Sequence, residues 1–279
     1  MISKEVKKII TNALAEDIGK GDLTTKAIVR RDQKGRAAAW AKDDFVVAGL
    51  DIFLEVFKTL DKKIMFRKKL SDGSVAHPGE IIVEISGSLT SILQAERVAL
   101  NIFQRMCGIA TLASRYVRAV RGTKAKILDT RKTAPGLRIL DKMAVRLGGA
   151  QNHRFGLDDG VLIKDNHIAA AGGIPRAVEL MRKKSPLGMK IEVETRNFQE
   201  VKEALQCGVD IILLDNMTVT DMKKVVDIAR GRALLEASGN VNLSNVARIA
   251  RAGVDFISVG ELTHSVRAAD ISLKIESHS

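Results

Sequence analysis

Between Ile127 and His167 the chain reads ILDTRKTAPGLRILDKMAVRLGGAQNHRFGLDDGVLIKDNH, and its short apolar runs end on clusters of charged residues. A β-like run, Ala125 to Leu128, stops at a carboxylate and then presents Thr130, Arg131, Lys132 and Thr133 ahead of a Pro135–Gly136 turn. A second run, Val161 to Ile163, ends in Lys164, Asp165, Asn166 and His167, with His153 and Arg154 on the loop leading into it. Basic residues at strand ends are most often simply solvated. A cation at the lip of a buried strand is costly, however, unless it faces a cleft or an anion. Cations converging from several elements suit a small substrate with more than one carboxylate or phosphate, because Arg binds such groups as a bidentate fork and Lys as a point charge.

Other strand ends carry complementary chemistry. Glu194 follows KIEV and Asp215 follows IILL. Such carboxylates can accept ribose hydroxyls or help hold Mg²⁺, which keeps waters and takes few protein ligands; a helix cap is the plainer reading of Asp215. Ser238, Gly239 and Asn240 end the next run, Gly260 and Glu261 the last, and glycines there let backbone N–H groups approach a phosphate. His264 could add a donor.

These residues need a βα array to hold them. After Gly108 helical and strand patterns alternate, with strands expected at Ala125–Leu128, Val161–Ile163, Lys190–Glu194, Ile211–Leu214, Leu234–Ala237 and Phe256–Val259. Helical segments are expected at Ile109–Val120, Ile174–Lys183, Phe198–Gln206, Asp221–Ala229 and Asn242–Ala252. Fewer than eight strands predict an open, incomplete (β/α) TIM-like barrel, with its site at the C-terminal strand ends. Upstream, Lys4 to Ile18 has helical spacing; Gly35 to Gly87 reads as the short strands RAAAW, DFVVAGL, IMFRKKL and EIIVEIS with a helix at Ile52–Leu60. Ser91 with Gln94 predicts a capping box opening a helix that runs to Gly108. The domain expectation is an N-terminal α+β domain over 1–108 and a barrel over 109–266, with 267–279 returning to the first as a strand. GKGD near Gly19 lacks a preceding strand and a following Lys-Ser/Thr pair, so it reads as a turn with a helix cap and not as a nucleotide loop. His77, beside Pro78 and Gly79, reads as a turn residue.

With 45 Lys and Arg against 33 Asp and Glu, the formal charge of +12 draws in anions. Aromatics are only 4% of the chain, too few for the stacking platforms of most nucleic-acid binders, so small anionic metabolites are the better match. Cys107 and Cys207 lie far apart in helix-like segments and read as reduced core thiols. The charged amphipathic start and the lack of a long apolar run predict a cytoplasmic protein without membrane association.

The strings DTRKTAPGLR, GGAQNHRFGLDDGVLIKDNH, LLDN, EASGN and SVGELTHS, with EDIGKGDLTT near the start, resemble the quinolinate phosphoribosyltransferase family of NAD biosynthesis over nearly the whole chain. The resemblance implies transfer of phosphoribosyl from phosphoribosyl diphosphate to quinolinate with decarboxylation, on an open barrel. It implies that Arg131, His153, Arg154 and Lys164 bind quinolinate. Arg97, in AERVALN, would reach the site from a neighbouring subunit; its plain reading is a surface residue. Lys132, Glu194, Asp215, Ser238, Gly239, Asn240, Gly260 and His264 would meet phosphoribosyl diphosphate, with Lys132, Glu194 and Asp215 catalytic. Mg²⁺ would enter mainly with the diphosphate, and the enzyme would be a homodimer sharing its sites, or a higher oligomer built from it. Asn240 stands where the family pattern has glycine, and Gln151 where a small residue is common. Competing readings are a same-fold homologue associated with molybdenum transport, an aldolase-type barrel with a Schiff base on Lys164, and a binding protein without catalysis.

Overall fold

The computed structural model describes residues 2–186 and 188–276. Its elements, in chain order, are α1 (Lys4–Ile18), α2 (Leu23–Ile28), β1 (Lys34–Ala41), β2 (Phe45–Val46), α3 (Leu50–Leu60), β3 (Met65–Lys68), β4 (Val75–Ala76), β5 (Ile81–Ser88), α4 (Leu89–Ala119), β6 (Lys126–Leu128), α5 (Arg138–Leu147) and β7 (Val161–Ile163). There follow α6 (Asp165–Ala171), α7 (Ile174–Lys184), β8 (Ile191–Thr195), α8 (Phe198–Gln206), β9 (Ile211–Asp215), α9 (Val219–Ala229), β10 (Leu234–Ser238), α10 (Val246–Arg251), β11 (Phe256–Ser258), α11 (Glu261–His264) and β12 (Ile271–Ile275). They form two compact units, one of residues up to Ser114 with Thr133–Gly149 and the segment from Ser265 onward, the other of Arg115–Lys132 and Ala150–His264.

The first unit carries an antiparallel sheet in the order β12-β1-β5-β3, with Ala39 opposite Leu273 and opposite Val83. The last residues expected in the returning strand, 277–279, lie outside the described ones. Phe53 of α3 packs at 5.0 Å from Phe103 of α4 and 5.1 Å from Phe57, and all three rings are buried. Truncating one such ring typically costs about 3–5 kcal/mol.

Several expectations are corrected here, while two are met, the helix cap within GKGD and the turn residue His77. The helix of Leu89–Ala119 does not stop at Gly108. That position is interior to α4, and it is glycine because a Cβ there would lie 2.2 Å from the Arg267 carbonyl, so it provides a close approach and not a cap. The α4 cap is Ser88, whose Oγ accepts from Ser91 N at 3.3 Å, so Ser91 is the capped residue. DFVVAGL yields only the two strand residues Phe45 and Val46, since Gly49, at φ 87°, turns the chain into α3 at Leu50. Beyond Gly19, Asp22 accepts from Thr25 N at 2.9 Å and opens α2, a helix too short for its periodicity to show in sequence. His77 is exposed in its turn, with Nδ1 2.7 Å from Asp44. Cys107 is buried, whereas Cys207 is half-buried at the end of α8 and is no core thiol.

The second unit is a six-stranded parallel sheet, β6-β11-β10-β9-β8-β7, with helices between successive strands. β6 and β7 are its edges; past β6 the isolated bridge Leu128–Gln151 continues the pairing. The array is therefore an open, incomplete βα barrel, with no closure among the described residues. No helix of the described residues is long and apolar enough to cross a membrane.

Candidate active site

Parallel register decides which side chains share a face. Leu162 pairs with Glu192, Glu194 with Leu213, Ser238 with Asp215, and Glu236 with both Leu213 and Phe256. Side chains alternate along strands, so Lys164, Glu192, Glu194, Asp215, Glu236, Ser238 and Ser258 all lie on one face. At its C-terminal rim Lys164 Nζ stands 2.7 Å from Glu194 Oε2, the cation half-exposed and the carboxylate buried. His167, in the first turn of α6, accepts Lys164 N on Nδ1 at 3.0 Å and so fixes the backbone beneath that ammonium. Asp215 is half-buried, accepting from Asn216 Nδ2 at 3.0 Å with Arg196 Nε at 3.9 Å. It does not cap α9; Thr218 does, three residues on.

On the loop after β6, Asp129 is fully buried and accepts Asn152 Nδ2 at 2.7 Å and His153 N at 2.8 Å, which ties the Asn152–Arg154 run to the end of β6. His153 Nδ1 accepts Arg154 N at 2.8 Å, while Nε2 faces Glu192 Oε2 at 3.1 Å and Glu236 Oε1 at 3.7 Å. The nitrogen facing the carboxylates is therefore the one that carries the proton. Burial lowers the His153 pKa, but the Glu192 hydrogen bond and the two carboxylate charges outweigh it, and the net direction is up. Burial and the neighbouring Arg131 hold Arg154 below its ordinary value, with Glu192 opposing them. Arg131 and Arg154 are thus close enough to repel, and an incoming dianion would relieve that repulsion. Arg154 Nη1 also donates to Gly160 O at 2.9 Å.

The third part of the site is built of loop backbone. Lys132 is exposed, its carbonyl accepts Thr263 Oγ1 at 2.8 Å, and the side chains of Lys132 and His264 both border Gly260, where a Cβ would meet each at 3.1 Å. Tyr116, buried on α4, donates its hydroxyl to Glu261 and anchors that turn. Gly239, at φ 89°, lies so close to Asn216 that a Cβ would sit 2.3 Å from its side-chain oxygen. Asn240 is left-handed at φ 50° and donates to that same Asn216 oxygen at 2.9 Å, which explains why a position suited to glycine can hold asparagine. Arg97 is exposed on α4, in the other compact unit.

Profiles of the quinolinate phosphoribosyl transferase C-terminal domain and N-terminal domain match residues 109–274 and 22–107. The chain belongs to the quinolinate phosphoribosyltransferase family. A relative named probable nicotinate-nucleotide pyrophosphorylase [carboxylating], from Synechocystis sp., is 44% identical over 265 residues, covering 94% of this chain and 90% of its own. Among solved structures, nicotinate-nucleotide pyrophosphorylase from Ehrlichia chaffeensis superposes with TM-score 0.94 at 43% identity, covering 99% of each chain. NadC from Streptococcus pyogenes gives TM-score 0.95 at 38% identity, covering 98% of this chain and 97% of the other.

Within this family fold, the sequence reading missed Glu192 and Glu236, because each sits inside an apolar run and reads as strand interior. The signal available was the spacing of Glu192 and Glu194, which places both carboxylates on one face. Glu194 and Asp215 suit Mg²⁺, being oxygen ligands at the rim where the ion can keep its waters. The group His153, Glu192 and Glu236 has its ligand atoms within 4.8 Å, but an imidazole and two buried carboxylates leave little room for those waters and fit Mg²⁺ poorly.

Proposed function

We propose that this chain transfers phosphoribosyl from phosphoribosyl diphosphate to quinolinate and releases diphosphate and carbon dioxide, giving nicotinate mononucleotide, a step of de novo NAD biosynthesis. The observation that supports the reading is the pairing of Lys164 with Glu194 at the sheet rim, together with the nearness of Arg131 to Arg154, in a chain of this family. Arg131, His153, Arg154 and Lys164 bind and orient the two adjacent carboxylates, and Arg97 is supplied by a second copy in a homodimer.

The ring nitrogen attacks the anomeric carbon as the bond to diphosphate breaks, through a transition state with oxocarbenium character. Glu194 and Asp215 favour the developing positive charge and accept the ribose hydroxyls, while Lys132 offsets charge on the departing diphosphate. Bound with the diphosphate, Mg²⁺ supplies further charge neutralisation at that leaving group. Ser238, Gly239, Asn240, Gly260 and His264 hold phosphate oxygens. In the second step the bond to the carboxyl next to nitrogen breaks, its electron pair stays on the ring carbon beside the pyridinium, and a proton replaces the lost carbon dioxide. No covalent nucleophile is required, so positioning and electrostatics supply most of the catalysis. Lys164 is ion-paired at a half-exposed rim and not enclosed in a dry pocket, which speaks against a Schiff base.

The test is nicotinate mononucleotide formation from quinolinate, phosphoribosyl diphosphate and Mg²⁺, with nicotinate replacing quinolinate as control. Product from quinolinate alone is expected; none from folded protein with either acid overturns the reading and favours the same-fold homologue with another substrate.

A further inference from the structure

One residue pair deeper in the sheet than Glu194 and Ser238, about 7 Å along the strands at 3.3 Å per residue, Glu192 and Glu236 are 5% and 1% exposed. Two carboxylates buried side by side are expensive, and a parallel sheet interior needs neither; apolar residues would pack there at lower cost. Their contacts show what they serve. Glu192 Oε2 holds His153 Nε2 at 3.1 Å, Glu236 stands 3.7 Å from the same nitrogen, and Ser258 from β11 bonds to Glu236. His153 passes that constraint on, because its Nδ1 accepts Arg154 N at 2.8 Å. The other end of the run is tied by Asp129 to Asn152 Nδ2 and His153 N. The Glu192 charge also bears on Arg154 and opposes its repulsion by Arg131.

Resting on the reading above, we propose that Glu192 and Glu236 are positioning residues of the quinolinate half of the site: through His153 they set the backbone of Arg154 and hold its guanidinium beside Arg131. Glu192 is the direct partner of the imidazole, and Glu236 fixes Glu192 and the ring from β10, across the intervening β9. The side chains nearest Gly239 and Gly260 are Asn216, His264 and Lys132, so removing either glutamate changes recognition of the dicarboxylate and leaves the diphosphate side alone.

The experiment measures quinolinate binding by calorimetry, and KM for each substrate by steady-state kinetics, in wild type, Glu192→Gln, Glu236→Ala and Glu236→Gln. The expected result is that Glu192→Gln and Glu236→Ala weaken quinolinate binding about tenfold, the size of one lost charge-assisted hydrogen bond. KM for phosphoribosyl diphosphate stays within about twofold, as separate sites should behave. Glu236→Gln, which keeps the shape and can still hydrogen-bond, brings quinolinate binding back toward wild type. Equal change in both KM values, or unchanged quinolinate binding in Glu192→Gln from an active wild type, overturns the inference alone. A wild type that neither binds quinolinate nor forms product overturns the functional reading and this inference with it. Should Glu236→Ala fail to fold, the two glutamine variants decide the outcome through the same two readouts.

Discussion

Lys164 and Glu194 meet at 2.7 Å across neighbouring parallel strands, joining a cation assigned to quinolinate to a carboxylate assigned to the ribose. Each is placed by its own strand, and under the proposed assignments the pair would link the two substrate subsites. Lys164→Met removes the cation and leaves Glu194 buried without it, and losing a hydrogen bond to a charged group costs about 1.5–3 kcal/mol. The expected result is a fall in kcat/KM of about tenfold to a hundredfold, with KM raised for both substrates. A change confined to quinolinate would show that the pair does not couple the subsites.

Glu236 faces Glu192, His153 and Ser258, and burial together with the Glu192 charge raises its pKa to about 8. The folded form therefore keeps a proton that the unfolded chain releases near the ordinary carboxylate value, and its contribution to stability is lost as pH rises through about 8. Urea unfolding between pH 5 and pH 8.5 is expected to show wild-type stability declining more steeply than that of Glu236→Gln. Parallel slopes for the two proteins would contradict the assignment.

Asp141 is fully buried and takes Arg105 in a bidentate pair, both bonds 2.8 Å, while accepting Ala134 N at 3.1 Å. These bonds hold the start of the TAPGLR turn to α4. Asp141→Ala leaves Arg105 without that partner, and breaking a buried pair costs about 3–5 kcal/mol, with the lower end appropriate because Arg105 is a quarter exposed. Denaturant unfolding should register a midpoint shift at unchanged slope.

Gly239 combines a left-handed φ of 89° with a Cβ position 2.3 Å from the Asn216 oxygen. Gly239→Ala must displace Asn216 or the loop, at a cost of about 1–3 kcal/mol. The expected effect is a higher KM for phosphoribosyl diphosphate with quinolinate binding unaltered. Loss on the quinolinate side instead would place this loop elsewhere in the mechanism.

Chelation of Mg²⁺ should abolish product formation while the circular dichroism spectrum stays unchanged, and added Mg²⁺ should restore activity. Glu194 and Asp215, at the rim, are the residues whose carboxamide variants are expected to raise the Mg²⁺ concentration needed. Full activity after chelation would remove the ion from the mechanism.

The sequence by itself determined the elements whose periodicity is long or whose boundaries are marked by polar residues. The helix at Lys4–Ile18, the strand at Val161–Ile163 and the helix at Phe198–Gln206 have the limits their patterns predict. So does the alternation that places Lys164, Glu194, Asp215 and Ser238 at or just beyond strand ends. Tertiary structure decided what depends on a distant backbone. Gly108 reads as a helix end but is interior to α4, and it is glycine because the fold brings the Arg267 carbonyl against it. Ser91 and Gln94 match a capping box, yet the cap is Ser88, since the incoming strand β5 runs to that residue. Glu192 and Glu236 sit in apolar runs forty-four positions apart by their numbers. Their meeting around His153 is set by the registers of β8, β9 and β10, and register is a property of paired strands that no single run of sequence contains.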